Sequence, residues 1–232
     1  MLILQTKIKE TFTIIVECQI KIKRPIITTP EEVSSHLRNR PSNGVFMKHL
    51  SLLILSLLLV PSISHAKTET ATLAAGCFWG VEEYFRKVPG VMETKVGYAG
   101  GQTKNPSYEQ VSTGTTGHAE SVEIKFDPEK VSYQQILEMF FKMHDPTTMN
   151  RQGNDQGTQY RSEIFYNTPE QKQVAESFKA KVDNSKAWKA PVSTKIEPAT
   201  NFFPAEDYHQ KYLVKHPGGY DNHYVRKIDF NK

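Results

Sequence analysis

Cysteine is scarce in this chain: 232 residues hold two, Cys18 and Cys77, too few for a disulfide scaffold. A membrane-length apolar run is missing as well. The stretch from Leu50 to Val60 covers 11 residues, well short of the roughly 20 that a spanning helix needs. Charge of one sign is missing from most of the molecule. The formal net charge is +4, but residues 1–66 hold eight Lys/Arg against four Asp/Glu, leaving 21 of each in 67–232. A neutral body gives no electrostatic reason for nucleic acid or an anionic membrane as partner. The Gly-rich stretch Gly97 to Gly117 fits neither the dinucleotide nor the phosphate-loop pattern, so no nucleotide cofactor is implied. There is no internal repeat. What is present, 38% hydrophobic and 23% charged residues, is ordinary globular composition.

The N-terminal part reads separately. Lys48 gives a short positive segment, Leu50 to Val60 the apolar core, Pro61 a break and Ser64-His65-Ala66 a small-x-small cleavage pattern. Residues 47–66 are therefore expected to be a secretory signal peptide, which places the mature protein in the periplasm or outside the cell. Unused, the signal would leave it cytoplasmic. Residues 1–46 lack periodicity and are expected to be disordered or an upstream extension ahead of a start at Met47. The remainder, 67–232, reads as a single domain without stable membrane insertion, acting as a monomer.

Within that domain, Thr68 to Ala75 reads as a strand broken by Gly76, and Phe78 to Lys87 as a helix ended by Pro89-Gly90. Val91 to Tyr98 is a second strand, and Gly97 to Gly117 a long loop. Val122, Ile124 and Phe126 alternate with charged residues as a half-buried strand. Ser132 to Gln135 forms a capping box ahead of a helix carrying Ile136, Leu137, Phe140 and Phe141. After a loop at 147–159, Tyr160 to Tyr166 reads as a strand. Thr168-Pro169 opens a further helix, Val192 to Ile196 is a last strand and Ala205 to Val214 a last helix. This order predicts an α+β fold, a two-layer sandwich with a ferredoxin-like core, long loops and an irregular C-terminal tail.

Gly76-Cys77-Phe78-Trp79-Gly80 stands between strand and helix. By residue type alone Cys77 is equally a small buried hydrophobe. At a helix N-terminus, however, free N–H groups and the macrodipole favour a thiolate by ~0.3–1 kcal/mol. From an ordinary thiol pKa of about 8.5, that leaves Cys77 partly ionised at neutral pH, so the substrate must be activated too. The flanking glycines allow a tight turn, and the two rings could wall a small apolar cage.

This run resembles the active-site signature of A-type peptide-methionine sulfoxide reductases. The resemblance continues through Gly97-Tyr98-Ala99-Gly100-Gly101, Asn105-Pro106-Ser107-Tyr108, Gly117-His118-Ala119-Glu120, the block from Asn154 to Ser162, and Ala205 to Gln210, in the family's order. It implies Cys77 as nucleophile, Glu120 as acid, and Tyr108 and Tyr160 as hydroxyl donors. It also implies Phe78 and Trp79 as the cage for the sulfoxide methyl group, Asp155 and His209 as residues that hold the substrate, and Glu206 and Asp207 as support. By itself Glu120 reads as a solvated charge beside a strand. In an apolar pocket with a nascent thiolate it would instead be held protonated, able to give its proton to the sulfoxide oxygen. The implied activity is thiol-dependent reduction of methionine S-sulfoxide, free or in oxidised proteins, through a sulfenic acid on Cys77.

Many relatives carry a resolving cysteine in the C-terminal tail. Here His216 to Tyr224 has the glycines but no cysteine. The expected reductant is therefore an external thiol, thioredoxin-like, glutaredoxin-like or small, with no bound cofactor and no metal. Two competing readings are a cysteine hydrolase using Cys77 with His118 as base, and a non-catalytic sulfoxide-binding module. His209, His216 and His223 match no standard metal spacing.

Overall fold

The computed structural model describes residues 68–231; the expected signal at 47–66 and the stretch 1–46 lie outside them. The elements are β1 (Glu69–Ala75), α1 (Phe78–Phe85), β2 (Val91–Ala99), α2 (Tyr108–Ser112), β3 (Ala119–Phe126) and α3 (Tyr133–Met143), then a small hairpin of β4 (Arg151–Gln152) and β5 (Asp155–Gln156). A 3-10 turn at Thr158–Tyr160 leads into β6 (Ser162–Tyr166), α4 (Pro169–Asn184), β7 (Lys195–Pro198), β8 (Phe203–Pro204) and α5 (Tyr212–Lys215). Six strands form one sheet in the order β7-β6-β1-β3-β2-β8. The register pairs Leu73 with Val122 and Ala75 with Ser162, both antiparallel, while β6 and β7 run parallel. The fold is α+β with a mixed six-stranded sheet.

Alternation along the strands decides what lies where. Leu73, Val96, Val122, Ile124 and Ile164 join Phe85 of α1, Phe140 and Phe141 of α3 and Phe178 of α4 in the main core. Strand residues of opposite parity, Ala74, Ala99, Ala119 and Phe165, form a second small cluster against Ala199 and Phe202. The helices therefore cover one face, and Tyr98 and Glu120, paired across β2 and β3, point to that same face. Among the described residues no helix is long and apolar enough to cross a membrane.

Helix starts follow the caps. Ser132 accepts from the Gln135 N–H and Gln135 returns a bond to the Ser132 backbone, while Thr168 caps α4 with Pro169 in the first turn; each such cap is worth about 1 kcal/mol. The expected loop at 97–117 contains α2, opened by a capping box between Ser107 and Gln110. The last expected strand is displaced from 192–196 to Lys195–Pro198. The last expected helix is largely absent, because 205–214 holds turns and, of helix, the first three residues of the four-residue α5. Side chains supply the reason. Gln210 accepts from the Val96 N–H at 2.9 Å and donates to the Val96 carbonyl at 2.9 Å. It stands in for a neighbouring strand. Glu82 accepts the Lys211 N–H at 2.6 Å, and Lys211 adopts φ +51°. These partners replace the helical hydrogen bonds.

Candidate active site

At the end of β1 the chain turns through Gly76, at φ +97°, and Cys77 becomes the N-cap of α1. The positive φ requires glycine. Gly80 has a different need: a Cβ there would overlap the Asp221 carboxylate and the His223 ring. Both glycines thus admit close neighbours, in addition to the turn that the sequence implied.

Cys77 is 7% exposed. Burial pushes its pKa well above the ordinary value, the Glu120 and Asp155 carboxylates add to this, and hydrogen bonds from the Trp79 and Gly80 N–H groups oppose it. The expected partial ionisation is therefore corrected. The helix N-terminus acts in the direction the sequence implied but loses to burial and to neighbouring acids.

Glu120 is 2% exposed, and its Oε2 accepts the Phe78 N–H at 3.0 Å. Burial pushes its carboxyl up to about 8, against the pull of the Phe78 N–H, with Asp155 raising it further. Asp155, rather than the thiol, is the charge acting on it, because Cys77 is still neutral when Glu120 ionises. Tyr108, at the start of α2, and Tyr160, in the 3-10 turn, are held above the usual tyrosine range by burial first and by Glu120 second. Cys77 also acts on both hydroxyls, which remain neutral donors. The fold thus brings Cys77, Glu120, Tyr108, Tyr160 and Asp155 within electrostatic reach of one another.

Asp155 Oδ1 accepts from the Tyr220 hydroxyl at 3.0 Å and Oδ2 from Asn222 Nδ2 at 2.8 Å. Trp79 is half-buried, stacked on Tyr212 at 3.7 Å between centroids. Its indole N–H donates to His209 Nδ1 at 3.0 Å. His209 is buried, packed on Phe78 and Tyr108 with centroids at 5.0 and 4.5 Å, so it braces the aromatic wall from behind. Phe78 is buried too and lies against Tyr98. Glu206 accepts the Tyr108 N–H and the Tyr98 hydroxyl, each at 2.9 Å.

His118 stands apart from the thiol chemistry. Its Nδ1 accepts from the Gly101 N–H at 3.1 Å and its Nε2 donates to the Thr103 carbonyl at 2.8 Å. Both ring nitrogens are engaged by backbone, so the expected alternative of His118 as base for Cys77 fails on geometry. Sequence reasoning missed Glu82, Tyr220, Asn222 and Asp221, and weighed His223 only as a metal ligand without standard spacing. For the tail residues, the signal that could have found them is the run of polar side chains after Gly219.

A model of the family described as peptide methionine sulfoxide reductase matches residues 69–232. The chain belongs to the peptide methionine sulfoxide reductase family. An MsrA of Methanoculleus marisnigri is 56% identical over 151 residues, 65% of this chain and 92% of the relative. One from Pseudomonas fluorescens is 50% identical over 162 residues, 70% of this chain and 76% of its own. Among solved structures, reduced Mxr1 of Saccharomyces cerevisiae superimposes with a TM-score of 0.67 at 38% identity, covering 71% of this chain and 95% of its own. Methionine sulfoxide reductase A of Corynebacterium diphtheriae gives 0.61 at 38% identity, covering 72% and 83%. The enzyme is an MsrA-type reductase, and its reaction is reduction of methionine sulfoxide.

Proposed function

We propose that Cys77 is the nucleophile of this reductase and Glu120 its acid, with Tyr108 and Tyr160 donating to the sulfoxide oxygen. Phe78 and Trp79 receive the methyl group, Asp155 holds the substrate from the other side, and His209 fixes Trp79. One observation carries the assignment: a carboxyl pushed up to about 8 by burial shares a corner with a neutral thiol, joined through the Phe78 N–H. Neither group needs to be charged before substrate arrives. Glu120 gives its proton to the sulfoxide oxygen as Cys77 Sγ attacks the sulfur, and the thiol proton replaces the one given. The sulfoxide gains two electrons and leaves as methionine; Cys77 loses two and keeps the oxygen as a sulfenic acid. Two equivalents of thiol then yield the Cys77 thiol, a disulfide and water.

Each reductase type serves one sulfoxide epimer, and the likeness to A-type enzymes supports the S epimer as the substrate of this one. Cys77 is the one cysteine of the described residues, which supports an external thiol, thioredoxin-like, glutaredoxin-like or small, as the reductant. The same reading makes the enzyme a monomeric repair protein of one domain, 67–232, exported by residues 47–66 to the periplasm or beyond. The strand order β6-β1-β3-β2, with α1 and α3 as crossovers, supports a two-layer, ferredoxin-like core. The test is turnover of Cys77→Ser on methionine S-sulfoxide with a thiol reductant. A loss of at least about 10³-fold is expected, and retained turnover overturns the assignment. A mixed disulfide trapped between Cys77 and a reducing protein would support the external route, and a Cys18–Cys77 bridge would contradict it.

A further inference from the structure

The C-terminal tail contains an arrangement that the chemistry above does not use. His223 is buried, and its Nε2 donates at 2.7 Å to the carbonyl of Ala75, the last residue of β1. Its backbone N–H donates to Asp221 Oδ1 at 2.8 Å, and the same oxygen lies 3.3 Å from its Nδ1. Its own carbonyl accepts the Tyr84 hydroxyl of α1 at 3.1 Å. One residue therefore touches the strand before Cys77 and the helix after it. The glycines report the same closeness. A Cβ on Gly80 would strike Asp221 and His223, and one on Gly76 would lie 3.4 Å from His223 Nε2.

The corner needs such a grip. Gly76 is the residue with most conformational freedom, and Cys77 caps α1 without a side-chain hydrogen bond. The corner's own bonds, the Phe78 N–H to Glu120 and the Trp79 and Gly80 N–H groups to the thiol, all lie on the helix side of Cys77 and leave the Gly76 side to other partners. A misplacement of about 1 Å at a reacting atom can cost on the order of 10²-fold in rate.

We propose that His223, oriented by Asp221, is a positioning residue for Cys77, holding the nucleophile's corner from the Ala75 carbonyl. This inference rests on the reading of Cys77 as nucleophile. The full chain is assayed with free methionine S-sulfoxide and dithiothreitol, comparing His223→Leu, which removes the donor, with His223→Gln, which keeps an N–H where Nε2 stands. Expected for folded His223→Leu is a fall in kcat of roughly ten- to a hundredfold with KM unchanged, and in His223→Gln recovery of most of the native kcat. Native kcat in His223→Leu overturns the proposal, and so does a His223→Gln as impaired as His223→Leu, since packing alone would then be at stake. Should His223→Leu not fold, Asp221→Ala carries the test: lowered kcat at constant KM supports the proposal, and native kcat refutes it. Cys77→Ser separates the two levels. Activity there removes the nucleophile assignment itself, whereas an inactive Cys77→Ser beside a fully active His223→Leu removes only the role of His223.

Discussion

Two glutamates of this reductase are equally deep and lead different lives. Glu82, on α1, is 1% exposed, and Glu120, on β3, is 2% exposed. Burial raises the carboxyl of each. Glu82 answers with two donors, the Thr94 hydroxyl at 3.0 Å and the Lys211 N–H at 2.6 Å, which pull it back. Its work is to hold the segment that carries His209 and Gln210. Glu120 has the Phe78 N–H against burial, with Asp155 pushing the same way as burial, and stands at about 8. Burial alone therefore does not make an acid. The difference lies in how far hydrogen bonds stabilise the anion and in whether a thiol shares the corner.

The largest effect should come from replacing the second glutamate. Glu120→Gln is expected to lower the single-turnover rate by about 10²–10³-fold. The sign of the pH dependence follows from the raised carboxyl. Below about 8 Glu120 is protonated and the acid is fully supplied, and above it the rate falls. In Glu120→Gln that alkaline fall should disappear, which a pH series of single turnovers would reveal. Next in size are the hydroxyls: Tyr108→Phe and Tyr160→Phe should each cost about tenfold in kcat, and together less than the product of the two.

The contrast can also be read in stability. A carboxyl whose folded pKa lies above its unfolded one contributes stability below the unfolded value and loses it as pH rises through the folded one. Native enzyme should therefore weaken from about pH 4.5 towards 8, and Glu120→Gln should melt above it at alkaline pH. The smallest change in activity belongs to Glu82→Gln. Turnover should stay within about threefold of native, while stability drops by about 1–3 kcal/mol because one buried donor loses its acceptor. If Glu82→Gln lost as much turnover as Glu120→Gln, the distinction between the two carboxyls would fall.

Elements with local causes were legible in the sequence. Ser132 with Gln135, and Thr168 with Pro169, announce helices through neighbours no more than three residues away, and Gly76-Cys77 announces the corner. What depends on distant partners was not legible. The segment 205–214 has helical spacing, but Gln210 bonds Val96, and Glu82 takes the Lys211 N–H. One local cause also escapes: the capping box of Ser107 and Gln110, like that of α3, is hidden in a stretch rich in glycine and threonine. The ionisation of Cys77 again turns on distant partners. A helix N-terminus can be read from sequence, whereas the depth of the thiol and the approach of Glu120 and Asp155 cannot. Nor does sequence show that the tail, read for a missing cysteine, returns to grip the nucleophile's corner through His223.

The most direct measurement is the intact mass of the enzyme after reaction with one equivalent of methionine S-sulfoxide and no thiol, with the modified residue located by peptide mapping. The account predicts one equivalent of methionine and one oxygen atom retained on Cys77, both lost in Cys77→Ser. Methionine formed with no oxygen on Cys77, or formed equally well by Cys77→Ser, would contradict it.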